Sequence, residues 1–115
     1  MDEVSLWTNE LPRKETPEMI QAVMVQIEKD FFLAQFFFSL GLHKSLESLL
    51  PEIVSCIENL RFNKPALWMK IVNRVDLSEK QYLFVQKMGG PSSENMAKAV
   101  VLREFQKVYS RSQST

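Results

Sequence analysis

The stretch TPEMIQAVMVQIEKDFFLAQFFFSLG, from Thr16 to Gly41, decides the fold of this 115-residue chain. Thr16 is a favoured N-cap residue, and Pro17 suits the first helical position because its missing N–H would have no partner there. Apolar residues then recur at intervals of three and four as far as Phe38, which is the period of a helix face. Gly41 is a stop signal, because glycine tolerates the left-handed conformation that ends many helices. The sequence therefore predicts one long helix over the whole stretch.

The second half of this predicted helix is apolar on every side. Phe32, Phe36 and Phe37 lie off the stripe that the first half defines, so one packing neighbour would leave them uncovered. Either the remaining helices of the chain cover these phenylalanines, or another protein chain does, and the sequence leaves both alternatives open. Two tryptophans are further aromatic anchors, because a large aromatic side chain gains most where it is buried. The candidate protein interface therefore comprises Trp7, Phe32, Phe36, Phe37 and Trp68.

Further helices follow, and residues that start or stop helices separate them. Helical periodicity over 43–61 runs through Pro51, which predicts either a kink in one helix or a break between two. Pro65 suits the first turn of the next helix, and the pair Gly89-Gly90 stops the last helix but one. No stretch of the sequence shows the two-residue alternation of a strand. We therefore predict an all-α, single-domain bundle of four to five helices around a long central first helix.

The last helix should start at Ser92 or Ser93, both of which are favoured capping residues. The spacing of its apolar residues predicts one inward face. Arg103, Lys107 and Arg111 fall on the opposite side of the helix, where we expect solvent.

The boundaries of these elements give the domain organisation. Residues 1–15 hold several apolar side chains among acids and form an N-terminal arm or a short helix that docks on the bundle through Trp7. The bundle itself spans 16–109. Residues 110–115 are without apolar side chains, so we expect them to form a disordered tail.

Charge is balanced over the whole chain but not along it. Residues 1–60 contain ten acidic and four basic residues, a net charge of −6, and 61–115 contain four acidic and ten basic residues, a net charge of +6. Such asymmetry can mark a face that binds nucleic acid or an acidic partner. We instead expect the two halves to fold against each other and attract, since most surface charge serves solvation.

The composition argues against several kinds of active site. The chain has one histidine and one cysteine, His43 and Cys56, which a continuous helix would turn away from each other. His43 is therefore expected at the surface and Cys56 in the core. Two such residues are too few for a zinc site, and three glycines are too few for a phosphate-binding loop. We predict no catalytic activity, no cofactor and no metal site.

The single cysteine also indicates a reducing, intracellular environment, because it has no partner for an intrachain disulfide. The start of the sequence, Met1-Asp2-Glu3-Val4, does not have the basic and apolar regions of a secretion signal. The longest apolar run is about half as long as a membrane span needs to be. The sequence therefore predicts a cytoplasmic protein without a membrane segment.

A second interpretation concerns 65–88, where two short helices joined by three residues have helix-turn-helix spacing. Gln81 would then contact base edges, and the basic residues around it would contact phosphates. The candidate nucleic-acid contacts are Lys70, Arg74, Lys80, Gln81 and Lys87. The resemblance is one of spacing only, and the chain has no net basic excess to drive such binding.

The sequence thus favours a protein whose surface is its function. We expect a small intracellular interaction or regulatory module without catalytic activity. Its partner would be another protein or, in a homodimer, a second copy of the chain. Nucleic-acid binding through 65–88 is the alternative.

Overall fold

The computed structural model describes residues 15–77 and 79–113. These residues form five α-helices and one 3₁₀ helix: α1 Pro17–Leu33, the 3₁₀ helix Glu47–Leu49, α2 Leu50–Asn63, α3 Pro65–Val75, α4 Glu79–Lys87 and α5 Ser93–Gln113. The described part of the chain contains no strand, and the predicted all-α bundle is confirmed. The predicted N-terminal arm, apart from Glu15, lies outside the described residues.

Capping residues fix two helix starts that the sequence predicts. Thr16 is the N-cap of α1, where its Oγ1 accepts a hydrogen bond of 3.1 Å from the backbone N–H of Met19. Ser92 precedes α5, and its Oγ accepts a hydrogen bond of 3.1 Å from the backbone N–H of Asn95. Each hydroxyl satisfies a backbone donor that the start of a helix leaves without an intrahelical partner.

Proline and glycine mark three further boundaries. Pro51 is the second residue of α2, which begins at Leu50 directly after the 3₁₀ helix, so the chain has a break between two elements there and not a kink in one helix. Pro65 is the first residue of α3. Gly89 and Gly90, which follow α4, have φ angles of 104° and 106°, a region that residues with a Cβ rarely adopt. The boundaries predicted at these residues are confirmed.

α1 ends at Leu33, and the prediction that it continues through the following apolar run is wrong. The backbone N–H of Gln35 donates to the carbonyl of Phe32 (2.8 Å), and that of Phe36 donates to the carbonyl of Phe31 (2.9 Å). This pair of hydrogen bonds is a Schellman motif. Gln35 takes its left-handed position, with a φ of 71°, where glycine is the usual residue. The chain therefore turns here without a residue that predicts the turn.

After this turn the chain runs back along α1 toward the start of that helix. The backbone N–H of Leu40 donates to Oε2 of Glu28 (2.7 Å), and the backbone N–H of Leu46 donates to Oε2 of Glu15 (3.2 Å). Burial alternates along the first part of this path, because residues 36, 38 and 40 are more buried than residues 37 and 39. We call 36–41 the return segment.

Glu52 of α2 holds the end of the return segment. Its Oε2 accepts a hydrogen bond of 3.3 Å from the backbone N–H of Gly41, and its Oε1 lies 2.9 Å from Nε2 of His43. The other ring nitrogen of His43 lies 3.0 Å from Oγ of Ser48. His43 therefore links the chain between the return segment and the 3₁₀ helix to α2. Its side chain is not on the open surface, contrary to the prediction from the sequence.

The centre of the bundle is α5. It packs against α1, α2, α3 and α4, and 99–102 are buried on every side of the helix. The predicted long first helix is α1, with 17 residues, and it packs against α5, which has 21. α5 also continues to Gln113, so 110–113 are helical and the predicted disordered tail does not begin at residue 110.

Candidate functional site

Three phenylalanines around the end of α1 form an aromatic cluster. Phe31 is fully buried, and its ring centroid lies 5.3 Å from that of Phe38 and 6.3 Å from that of Phe36. The rings of Phe36 and Phe38 are 6.4 Å apart. These distances are those of favourable aromatic pairs, which add to the gain from burial. The cluster packs the return segment against α1.

Three apolar side chains beside this cluster face solvent, and we call them the apolar patch: Phe32, Leu33 and Phe37. Their exposed fractions are 63%, 44% and 83%. Single exposed apolar residues are ordinary, but three within six residues of chain can form a surface that another molecule covers. Phe32 and Phe37, predicted as interface residues, therefore lie where a partner can reach them.

The other predicted interface residues are placed differently. Trp68 is 7% exposed and lies on the face of α3 that packs into the bundle, together with Ile71 and Val75. Trp68 is therefore a core residue, and its prediction as a surface anchor is wrong. Phe36 is half-buried in the aromatic cluster. Trp7 lies outside the described residues.

A groove separates the return segment from α2. Its volume is about 670 Å³, and one of its walls is formed by Phe36 and Phe38. The opposite wall is formed by α2 residues, namely Pro51, Glu52, Ser55, Cys56 and Asn59. Burial raises the pKa of the Cys56 thiol to about 11, so this side chain stays protonated and weakly nucleophilic at neutral pH. The groove is therefore better suited to binding than to thiol chemistry.

The predicted nucleic-acid contacts differ in burial. The four basic residues are exposed: Lys70, Arg74, Lys80 and Lys87. Gln81 is 2% exposed, and its Nε2 donates a hydrogen bond of 2.8 Å to Oε1 of Gln106 on α5. The prediction that Gln81 contacts base edges is therefore wrong, because α4 turns this residue into the bundle.

Two of the basic residues lie next to the apolar patch. Lys70, Arg74 and Asn73 of α3 line a cleft of about 280 Å³, and its other wall includes Leu33 and Gln35. Lys70 and Arg74 are four residues apart and therefore share one face of the helix. Positive charge thus borders the apolar patch on the side of α3.

Three ionisable residues meet inside the bundle. Nζ of Lys107 lies 2.8 Å from Oδ2 of Asp30 and 2.9 Å from Oε1 of Glu104. Glu104 is fully buried, and its oxygens accept no hydrogen bond of normal geometry from the described residues. Burial raises the pKa of Glu104 to about 9, and the hydrogen bond and negative charge of Asp30 act in the same direction. Glu104 is therefore protonated at neutral pH.

Asp30 keeps its negative charge in this cluster. Burial alone would raise the pKa of Asp30, but hydrogen bonds from Glu104, Lys107 and Gln26 together lower it below the usual value. Nε2 of Gln26 donates to Oδ1 of Asp30 (3.1 Å), and Oε1 of Gln26 accepts a hydrogen bond of 2.6 Å from Arg111. The cluster thus joins α1 to α5 through both ionic and neutral contacts.

These contacts change the interpretation of the basic side of α5. Nε of Arg103 donates a hydrogen bond of 2.8 Å to the backbone carbonyl of Asp76, while Lys107 and Arg111 contact α1. The prediction that these basic residues face solvent is wrong for Arg103 and Lys107, which are partly buried against the end of α3 and against α1, whereas Arg111 is exposed.

The described residues contain no group of three or more histidine, cysteine or acidic side chains that could hold a metal ion. Within the same part of the chain, no helix is both long enough and apolar enough to cross a membrane. Comparison of the sequence with protein-family models found no match. Searches of curated proteins and of solved structures found no significant match either.

Proposed function

We propose that this chain is a small intracellular interaction or regulatory module without catalytic activity, and that the apolar patch is its binding surface. The observation that carries the proposal is the 83% exposure of Phe37, together with the exposure of Phe32 and Leu33 within the same six residues of chain. Burying a phenylalanine or leucine side chain contributes about 1.5–3 kcal/mol, so covering the patch would favour binding. Aromatic residues at the centre of an interface often supply most of its binding energy.

The base of the patch supports this function. Phe32 and Leu33 belong to the last turn of α1, and the Schellman motif holds the turn that leads to Phe37. The aromatic cluster packs beneath this turn. An anchor that is already ordered loses little conformational entropy when a partner covers it.

The charges around the patch indicate the chemistry of the partner. Exposed Lys70 and Arg74 supply a basic border, and protein interfaces commonly combine an apolar centre with a charged rim. We therefore propose a cytoplasmic protein partner with acidic groups around an apolar contact. A homodimer is the other form of this proposal, although a two-fold contact between two patches would bring like charges together.

Site-specific photo-crosslinking in the cells that make the protein tests the proposal. A photoreactive phenylalanine analogue at Phe37 should give a discrete protein adduct, because the patch is covered in the complex. The same analogue at Tyr82, an exposed aromatic residue of α4, is the matched control and should give no such adduct. Adducts at neither position, or equally at both, would exclude the patch as the binding surface.

Nucleic-acid binding is a second candidate function, supported by the side-by-side arrangement of Lys70 and Arg74. Because Gln81 is buried, such binding would rely on phosphate contacts and would not read the base sequence. Its strong dependence on salt would distinguish it from binding through the apolar patch.

A further inference from the structure

We propose that a cleft between α1 and α5 binds a small molecule that carries a diphosphate. The residues that line this cleft are all polar, and we call it the basic cleft: Gln26, Arg103, Gln106, Lys107, Ser110 and Arg111. Its volume of about 340 Å³ is near the lower limit for small-molecule sites. The basic cleft shares no residue with the apolar patch, so this inference does not depend on the proposed function.

Positive charge dominates the basic cleft. Three of its six lining residues are cations, and none of the six is an acid. Outside the lining, Asp30 pairs with Lys107. Asp76 pairs with Arg103 in the same way. The three cations against these two acids leave a net charge of +1, and Glu104, which also contacts Lys107, is protonated at neutral pH. An anion therefore has the charge that complements this cleft.

Three α5 residues of the basic cleft have hydrogen-bond donors without an acceptor among the described residues. Oε1 of Gln106 accepts a hydrogen bond from Gln81, which leaves its Nε2 amide as a donor. Arg103 donates to Asp76 through Nε and Nη2, which leaves its Nη1 group. The hydroxyl of Ser110 forms no hydrogen bond with a described residue. Guanidinium, amide and hydroxyl groups are suitable donors to phosphate oxygens.

The spacing of these donors indicates the kind of anion. Residues 103, 106 and 110 are separated by three and four positions, so they share one face of α5. The helix rises about 10 Å from residue 103 to residue 110. Donors spread over this length suit two linked phosphoryl groups better than a carboxylate, whose two oxygens belong to one carbon. Because Gln26 belongs to α1, a ligand in the cleft would also join α1 to α5 and stabilise their packing.

Isothermal titration calorimetry of the full-length protein with inorganic pyrophosphate, at a constant salt concentration of about 0.1 M, tests the proposal. We expect one site, with acetate bound at least about tenfold more weakly. Gln106→Glu should weaken pyrophosphate binding at least about tenfold, because the new carboxylate repels the ligand while its oxygen still accepts the hydrogen bond from Gln81. Gln86→Glu makes the same change of charge at an exposed position of α4 outside the cleft. This matched control should bind pyrophosphate within about twofold of wild type.

A second pair of variants separates binding from effects on the fold. Ser110→Glu places a carboxylate in the cleft at an exposed position, so we expect the same loss of binding with an unchanged circular dichroism spectrum. Arg103→Lys keeps the positive charge but removes the guanidinium group, so we expect weaker binding, whereas attraction by charge alone would leave the affinity unchanged. The proposal is overturned if wild type does not bind pyrophosphate, or if it binds acetate as tightly. Equal affinities in wild type, Gln106→Glu and Ser110→Glu would also overturn it, since pyrophosphate would then bind elsewhere.

Discussion

Nζ of Lys107 lies 2.8 Å from Oδ2 of Asp30, although 77 residues separate them in the chain. This ion pair joins the basic half of the sequence to the acidic half and α5 to α1. The pairs Lys98–Glu94 and Arg103–Asp76, by contrast, each lie within the basic half. Attraction between the two halves therefore acts at one specific, buried contact. The net charge of each half does not show which residues form that contact.

Replacing Lys107 with methionine should destabilise the fold by about 3–5 kcal/mol, because it leaves the buried carboxylate of Asp30 without its cation. Urea unfolding followed by circular dichroism measures the change. Lys70→Met, at an exposed position, is the control and should stay within about 0.5 kcal/mol of wild type. If both variants unfold at the same urea concentration, the Lys107–Asp30 pair contributes nothing to stability.

Glu104 should make the protein less stable as the pH rises. Its pKa is about 9 in the folded state and near 4.5 in the unfolded state, so between these values the folded state binds one more proton. The free energy of unfolding should fall by up to about 1.4 kcal/mol per pH unit across this window. Asp30 acts in a different range. Its lowered pKa contributes stability above pH 3.8, and this contribution is lost as the pH falls below that value.

Glu104→Gln tests this dependence, since glutamine resembles the protonated acid and does not titrate. We expect the variant to show a flatter stability curve between pH 5 and pH 9 and to be more stable than wild type at pH 8. Denaturant unfolding at several pH values measures both effects. A wild-type curve that is equally flat would show that Glu104 is ionised in the fold.

Phe31 and Phe37 should respond oppositely to truncation, although they belong to the same apolar run. Phe31→Ala should cost about 3–5 kcal/mol of stability, because the ring is fully buried. Phe37→Ser should change stability by no more than about 0.5 kcal/mol. It should, however, weaken partner binding, and light scattering shows whether that partner is a second copy. A large loss of stability in Phe37→Ser would mean that the fold itself covers this side chain.

Gln35→Gly should stabilise the protein by about 1 kcal/mol. A residue with a Cβ is strained in the left-handed conformation, and this strain exceeds the extra entropy that glycine gains on unfolding. Ser39→Gly, in the non-helical return segment, is the control and should be neutral or destabilising. Thermal unfolding of both variants checks the sign of each effect.

Binding to a heparin or DNA column distinguishes the two candidate functions. Phosphate contacts by Lys70 and Arg74 would retain the protein at about 50 mM salt and release it near 200 mM. The double variant Lys70→Glu/Arg74→Glu should then pass through unretained. We expect no retention of wild type if the apolar patch is the binding surface, because the chain has no net charge.

The sequence predicts those boundaries that a single residue encodes. Thr16 and Ser92 cap helices, Pro65 opens one, and Gly89 and Gly90 follow another, each for reasons of local backbone chemistry. The end of α1 is different, because Gln35 turns the chain although its residue type favours helix. Tertiary packing of the aromatic cluster decides this turn, and helical periodicity continues past it unchanged.

The candidate site is predictable only in part for a similar reason. Phe32 and Phe37 are correctly placed off the buried stripe, but composition cannot separate exposed Phe37 from buried Trp68. The contact between Lys107 and Asp30 joins distant parts of the chain, and no spacing rule relates them. Such pairs become visible only when the packing of α1 against α5 is known.

The central position of α5 affects how the protein is made. Ribosomes add residues from the N-terminus at about 5–20 per second, so α1 to α4 emerge before the helix on which they pack. Before Val100 and Val101 are translated, the core in which Ile27 and Ile57 are buried is incomplete. Folding of the bundle must therefore follow synthesis of α5, and a premature stop codon before α5 would release α1 to α4 with their apolar faces open to chaperones and proteases.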